Sequence, residues 1–167
     1  MKPWHVEICD VTLRDGEQTP GVSFTPEEKK DIATRLDAIG IEVIEAGFPI
    51  VSVHEKEMIR EISRLGLSAK ICGLSRACRE DVDASLDAEV DMIGLFIAPS
   101  DLHLKYKHKK PREVVVANAL EQLDYAVDHG LIVRFGAEDA SRTDPDILAD
   151  IYRQAADHKA TYVTYAD

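Results

Sequence analysis

The chain predicts an α/β protein built on a parallel sheet. Apolar, β-branched runs alternate with segments of helical period along its whole length. Strand followed by helix, repeated, means parallel strands joined by right-handed crossovers. The first run empties into Asp10–Gly21, which reads Asp-Val-Thr-Leu-Arg-Asp-Gly-Glu-Gln-Thr-Pro-Gly and sets a guanidinium and a carboxylate at the C-terminal end of a strand. That end is where parallel α/β folds carry out their chemistry. The length, 167 residues, is ample for one core but below the ~200 that a closed eight-stranded barrel needs.

Strands are expected at His5–Val11, Glu42–Ala46, Ala69–Leu74, Met92–Ile97, Ile132–Phe135 and Tyr162–Tyr165. Helices are expected near Pro26–Ile39, His54–Leu65, Arg79–Leu86, Pro111–His129 and Pro145–His158. Thr25 is placed to cap the first helix, with Pro26 in its first turn and Glu27 and Glu28 at its positive end. Gly40, Gly66 and Gly130 stand where helices should stop. The count is six strands and five helices in a single domain over residues 1–167, with no linker, low-complexity segment or second domain. Composition by itself admits an open doubly wound sheet.

The chain is 45% hydrophobic and 31% charged, which argues against disorder. Its net charge of −11 argues against nucleic acid or an anionic membrane as partner. No apolar run approaches the ~20 residues of a membrane span, and no basic-then-apolar leader is visible at the N-terminus. Three cysteines, Cys9, Cys72 and Cys78, have no CxxC spacing and read as reduced and structural, which points to the cytoplasm.

In the opening motif, the Asp15 carboxylate can hold a divalent cation and Arg14 can polarise a carbonyl oxygen. The plain alternative is a surface ion pair; the adjoining Gly16, Glu17 and Gln18 and the strand-end position favour chemistry. In the second strand Glu45 shares a face with Val43, and an acid there is costly to bury unless paired. In the fifth, Ile132, Arg134, Gly136 and Glu138 share a face. Either an ion pair sits inside the sheet, or Arg134 meets a substrate carboxylate, for which a planar guanidinium is suited. Gly136 would let a substrate approach the backbone. His103, in a polar loop, reads as solvated or structural. Lys105, Lys107, Lys109, Lys110 and Arg112 form a basic cluster in an acidic chain, by default a solvated loop, with contact to coenzyme A phosphates as a minority reading.

The opening motif resembles the signature of metal-dependent Claisen-condensing and lyase TIM barrels: the 2-isopropylmalate, homocitrate and citramalate synthases and the hydroxymethylglutaryl-CoA lyases. The resemblance returns at Ile41–Pro49, Phe96–Lys107 and Gly136–Arg142, so it spans essentially the whole chain in order. It implies an incomplete TIM (β/α)8 barrel, the first six strands with five intervening helices, lacking strands seven and eight. It also implies an acyltransferase that condenses acetyl-CoA with a 2-oxo acid to give a 2-alkylmalate. Arg14 and Glu45 would be catalytic, Gln18, Arg134, Gly136 and Glu138 would bind substrate, and Asp15 would bind a divalent metal (Mg, Mn or Zn). The family's remaining metal ligands, a His-x-His pair and often an asparagine, lie on the two missing strands, and no His-x-His occurs here. These 167 residues alone are therefore expected to lack significant synthase activity, and the family's complete enzymes are expected to dimerise. Arg134 leans towards a dicarboxylic 2-oxo acid, as in homocitrate synthases; Asp15 and Leu74 depart from the lysine-pathway branch, and Leu74–Ala77 and His103–Lys107 look more like the isopropylmalate branch. Two other readings are carried: a non-catalytic half-barrel that pairs with another chain, and a lyase of the same fold.

Overall fold

A computed structural model describes residues 5–167. Its elements run β1 (Cys9–Asp10), α1 (Pro26–Ala38), β2 (Val43–Gly47), α2 (Val53–Ser63), β3 (Lys70–Arg76), α3 (Arg79–Asp87), β4 (Met92–Ile97), α4 (Asp101–His103), α5 (Arg112–Asp128), β5 (Ile132–Ala137), α6 (Pro145–Asp157) and β6 (Tyr162–Tyr165). The capping logic holds. Thr25 and Glu28 form a reciprocal capping box at the start of α1, and Pro26 fills its first turn. Gly40 and Gly130 adopt positive φ just past the ends of α1 and α5, where only glycine reverses the chain without strain.

The six strands form one parallel sheet in sequence order, β1 to β6. A doubly wound sheet needs a point where strand order reverses, and this sheet has none. One face packs on the helices: Ile44, Ile71, Ile93, Leu95, Val133 and Phe135 meet Ile59, Ile62, Val82 and Leu123 in the main core. The other face turns inwards, where Val43, Cys72 and Met92 pack with Cys9, Ile132 and Tyr162. The sheet is strongly curled. Arg134 of β5 donates from Nη1 to Cys9 Sγ on β1 at 3.2 Å, and Tyr162 Oη on β6 donates to Glu7 Oε2 at 2.6 Å. In a flat sheet β1 and β5 would lie roughly 19 Å apart. The architecture is a half-closed (β/α) barrel of six strands, an incomplete TIM barrel.

Two expectations are corrected. The first strand is much shorter than His5–Val11: only Cys9–Asp10 joins the ladder. β1 pairs with β2 alone, the Ile8 amide is taken by the Glu42 carboxylate, and past Asp10 the amides of Arg14, Asp15 and Gly16 all turn onto the Val11 carbonyl. There are also six α-helices rather than five among the described residues. Ser100 caps the three-residue α4, which runs into a π-helical turn over Leu104–His108 that ends at Lys109 in the left-handed region. Its lysine-rich sequence carries no apolar period, so pattern alone reads it as loop. Among the described residues, no helix is long and apolar enough to cross a membrane.

Candidate active site

At the C-terminal end of the strands the curled inner face opens into a cavity of about 510 Å³, bordered by Arg14, Gln18, Glu45, Lys107, Arg134 and Glu138, with Phe48, Leu74 and Phe96 as its apolar wall. The centre is Glu45. It points inwards from β2 and is only 1% exposed, and both of its carboxylate oxygens are taken. Arg14 donates from Nε to Oε1, and Arg134 donates from Nη2 to Oε2. One buried carboxylate thus holds two guanidiniums, from the β1 loop and from β5, with a surplus of positive charge facing the cavity. Each guanidinium carries five N–H donors, so both keep donors free for a ligand after bonding Glu45, Asp15 and Cys9.

Arg134 crosses the barrel past Gly94, where a side chain would be tight. A Cβ on Gly94 would sit 3.0 Å from Arg134 Nη2 and 3.3 Å from Leu74 Cδ1. Burial opposes the Arg134 charge, and the Glu45 carboxylate bonded to it favours that charge. Burial pushes the Cys9 and Cys72 thiols up, so both remain neutral. All three cysteines are free, and Cys9 does more than pack, since its sulfur accepts from Arg134.

The Arg14–Gln18 turn is fixed from behind. Lys29, 5% exposed at its side chain, reaches Glu17 Oε2 at 2.6 Å and Glu55 Oε2 at 3.0 Å, while Glu17 Oε1 accepts from the Phe24 amide at 3.0 Å. A helix-α1 lysine therefore ties the turn to α2.

The expected site residues do not all converge. Arg14, Gln18, Glu45, Arg134, Gly136 and Glu138 border one cavity. Gly136 faces it, yet a Cβ there would meet Phe96 and Thr164 at ordinary contact distances of 3.5 and 3.7 Å, so the protein itself does not demand glycine. Glu138 is 40% exposed and held by Lys107 Nζ at 2.5 Å. Asp15 is not among the cavity-bordering residues; it is 61% exposed and bonded to Arg14 Nη1 at 2.7 Å. Among the described residues, no three His, Cys, Asp or Glu side chains converge to hold a metal ion. A single carboxylate offers too few donors to fix a divalent cation, so the residues present do not by themselves make a metal centre. Gly94 and Asp139 were missed by pattern reading. An isolated glycine inside the apolar run Met92–Ile97 was the available signal for the first, as such a glycine marks close approach.

The curled barrel and this arginine-rich cavity define a class. The HMGL-like family profile matches residues 5–167, and the chain belongs to that family. It is 55% identical over 167 residues to a homocitrate synthase, AksA, from Methanosarcina acetivorans, covering 99% of this chain and 41% of that protein. It is 52% identical to a 2-isopropylmalate synthase from Methanocaldococcus jannaschii (99% and 32%), and 49% identical to a putative (R)-citramalate synthase, CimA, from Methanothermobacter thermautotrophicus (97% and 33%). The chain therefore spans about two fifths or less of the length of these relatives. Among solved structures, the HMG-CoA lyase from Brucella melitensis superposes with a TM-score of 0.80 at 22% identity, over 98% of this chain and 61% of that one. The lyase from Pseudomonas aeruginosa gives 0.79 at 20% identity, over 97% and 57%. At these identities the likeness shows the fold.

Proposed function

We propose that the cavity is the 2-oxo-acid site of an acyltransferase that condenses acetyl-CoA with a 2-oxo acid to a 2-alkylmalate, of the homocitrate or 2-isopropylmalate synthase type. The observation that carries this reading is the pair of guanidiniums, Arg14 and Arg134, converging on buried Glu45 at the mouth of the barrel. Arg14 stabilises the oxyanion that develops when an acetyl-CoA enolate adds to the ketone. Arg134 takes a carboxylate by planar recognition, Gln18 borders the ketone, and Glu138 exchanges protons at the rim. Glu45 touches neither reactant but aims both arginines. A divalent metal bound through Asp15 would supply Lewis-acid polarisation, its other ligands coming from outside the described residues. The activity, the metal, a homodimeric state and a cytoplasmic setting belong to the whole protein in this reading. The 167 residues alone are expected to show no significant turnover in an acetyl-CoA-dependent thiol-release assay.

Arg134 favours a dicarboxylic 2-oxo acid. Titration of the chain with 2-oxoglutarate and with 2-oxoisovalerate, followed by NMR, tests this. Shifts on the cavity residues with the dicarboxylate, lost in R134M, are expected. Tighter binding of the branched monocarboxylate, indifferent to R134M, would refute it. A second reading has its own observation: Val6 and Ile8 beside β1, and Val163 and Tyr165 on β6, are exposed, as suits a half-barrel that pairs with a complementary βα segment. The lyase reading rests on fold likeness alone.

A further inference from the structure

Lys29 lies behind the cavity, and the helix that carries it does not explain its placement. It is the fourth residue of α1, at the positive end of that helix, where a cation is disfavoured. Its side chain is almost wholly buried, which a charged ammonium tolerates only when paired. Its two partners, the carboxylates of Glu17 and Glu55, come from different elements. Burial opposes the Lys29 charge, but its bonds to both carboxylates outweigh burial and strengthen its hold on the proton. Each carboxylate is in turn seated against a strand end that carries a cavity residue. Glu17 follows Arg14 by three positions in a closed turn, where the Arg14, Asp15 and Gly16 amides share the Val11 carbonyl and the Gln18 amide donates to the Asp15 carbonyl. Glu55 lies on Gly47, two residues after Glu45; a Cβ there would collide with Glu55 Oε1. Gly47 has a φ of 154°, and the pairing of β2 with β3 shifts register between Glu45 and Gly47. Bulges of this kind re-aim neighbouring side chains. One ammonium thus joins the turn that carries Arg14 to the bulge that follows Glu45.

We propose that Lys29 is a positioning residue for the Arg14–Glu45 pair: it holds the β1 turn against the β2 bulge so that Arg14 Nε meets Glu45 Oε1. The proposal rests on reading the cavity as the 2-oxo-acid site, because Arg14 is the group that faces the developing oxyanion there. Lys29 touches no substrate and moves no proton. It acts through Glu17 and Glu55, and its part is to fix where the Arg14 guanidinium stands. Arg134 comes to Glu45 from β5, a route that does not pass through Lys29.

The test is 1H–15N NMR of the arginine Nε–H groups in the labelled, ligand-free chain, with the Arg14 signal assigned by its loss in R14K. Arg76 Nε, which donates to Asp81 Oδ2 at 2.8 Å at the end of β3, is the internal reference. In K29M the Arg14 signal is expected to move towards that of a free arginine. Its exchange with solvent should quicken at least about tenfold, the size expected when one hydrogen bond to a charged group is lost. The Arg76 signal should stay where it is. E17Q, a milder change at a partly exposed side chain, should shift Arg14 the same way by less, and it decides the matter if K29M does not fold. An Arg14 signal unmoved in the folded variants would show that Arg14 finds Glu45 unaided, and would overturn the proposal. Parallel loss of the Arg14 and Arg76 signals would overturn it too, since Lys29 would then only hold up the fold. No ligand enters this measurement. If 2-oxoglutarate fails to bind the parent chain while Arg14 responds as expected, the acyl-transfer reading fails and the link through Lys29 stands.

Discussion

Removing the charge of Glu45 should be among the most damaging conservative changes in this chain. The carboxylate is buried and neutralises two guanidiniums that are each about one-fifth exposed. E45Q keeps the shape but leaves Arg14 and Arg134 facing one another across a neutral amide. Breaking a buried ion pair by deleting one partner costs about 3–5 kcal/mol; partial exposure of the arginines reduces this to about 2–4 kcal/mol. For a domain of this size that corresponds to a fall in melting temperature of about 5–15 °C. The assay is urea unfolding of the parent, E45Q, R134M and the double variant. Because R134M removes one of the stranded charges, the double variant should lose at least about 1 kcal/mol less than the sum of the singles. A loss below about 0.5 kcal/mol in E45Q, or additivity within about 0.5 kcal/mol, would refute the account of Glu45 as the clamp of both arginines.

Lys29 should be equally intolerant despite lying outside the cavity: K29M strands Glu17 and Glu55 and should cost about 2–4 kcal/mol, with faster amide hydrogen exchange in the Arg14–Gln18 turn; unchanged exchange there would show that the turn does not depend on it. Asp81 supplies an acid-limb prediction. Burial raises its carboxyl, but the bonds from the Arg76 guanidinium and amide and from Cys78 outweigh it and hold the carboxyl below the ordinary 3.8. A depressed folded value means this stability is fully present above the unfolded value and is lost as pH falls through the folded one. D81N should therefore flatten the loss of stability as pH falls below about 4, and an unchanged acid limb in urea midpoints would count against the pairing.

Much of the frame is legible in the sequence. Met92–Ile97 and Tyr162–Tyr165 emerge with the expected bounds, the first because a parallel strand covered by helices needs an unbroken apolar run and the second through its β-branched and aromatic residues. Helix starts at Thr25–Pro26 and stops at Gly40 and Gly130 follow from local chemistry, which needs no partner from elsewhere. The inward parity of Glu45, Arg134 and Glu138 also follows from the two-residue repeat of a strand. β1 was overestimated because ladder length depends on neighbours, and α4 with its π-helical turn was missed because it is built on a side-chain cap and tertiary contacts rather than on periodicity.

By itself, then, the sequence determined the order of strands and helices, the end of the sheet that carries charge, and the kinship written in Asp10–Gly21 and Ile41–Pro49. Only the tertiary structure decided how strongly the sheet curls, and so that Arg134 crosses from β5 to meet Glu45 of β2 and Cys9 of β1. It alone revealed that Arg134 passes close to Gly94, that Lys29 braces the Arg14 turn, and that Asp139 meets His103. Those are contacts between residues 12 to 125 positions apart in the chain, and no local pattern encodes distances of that kind.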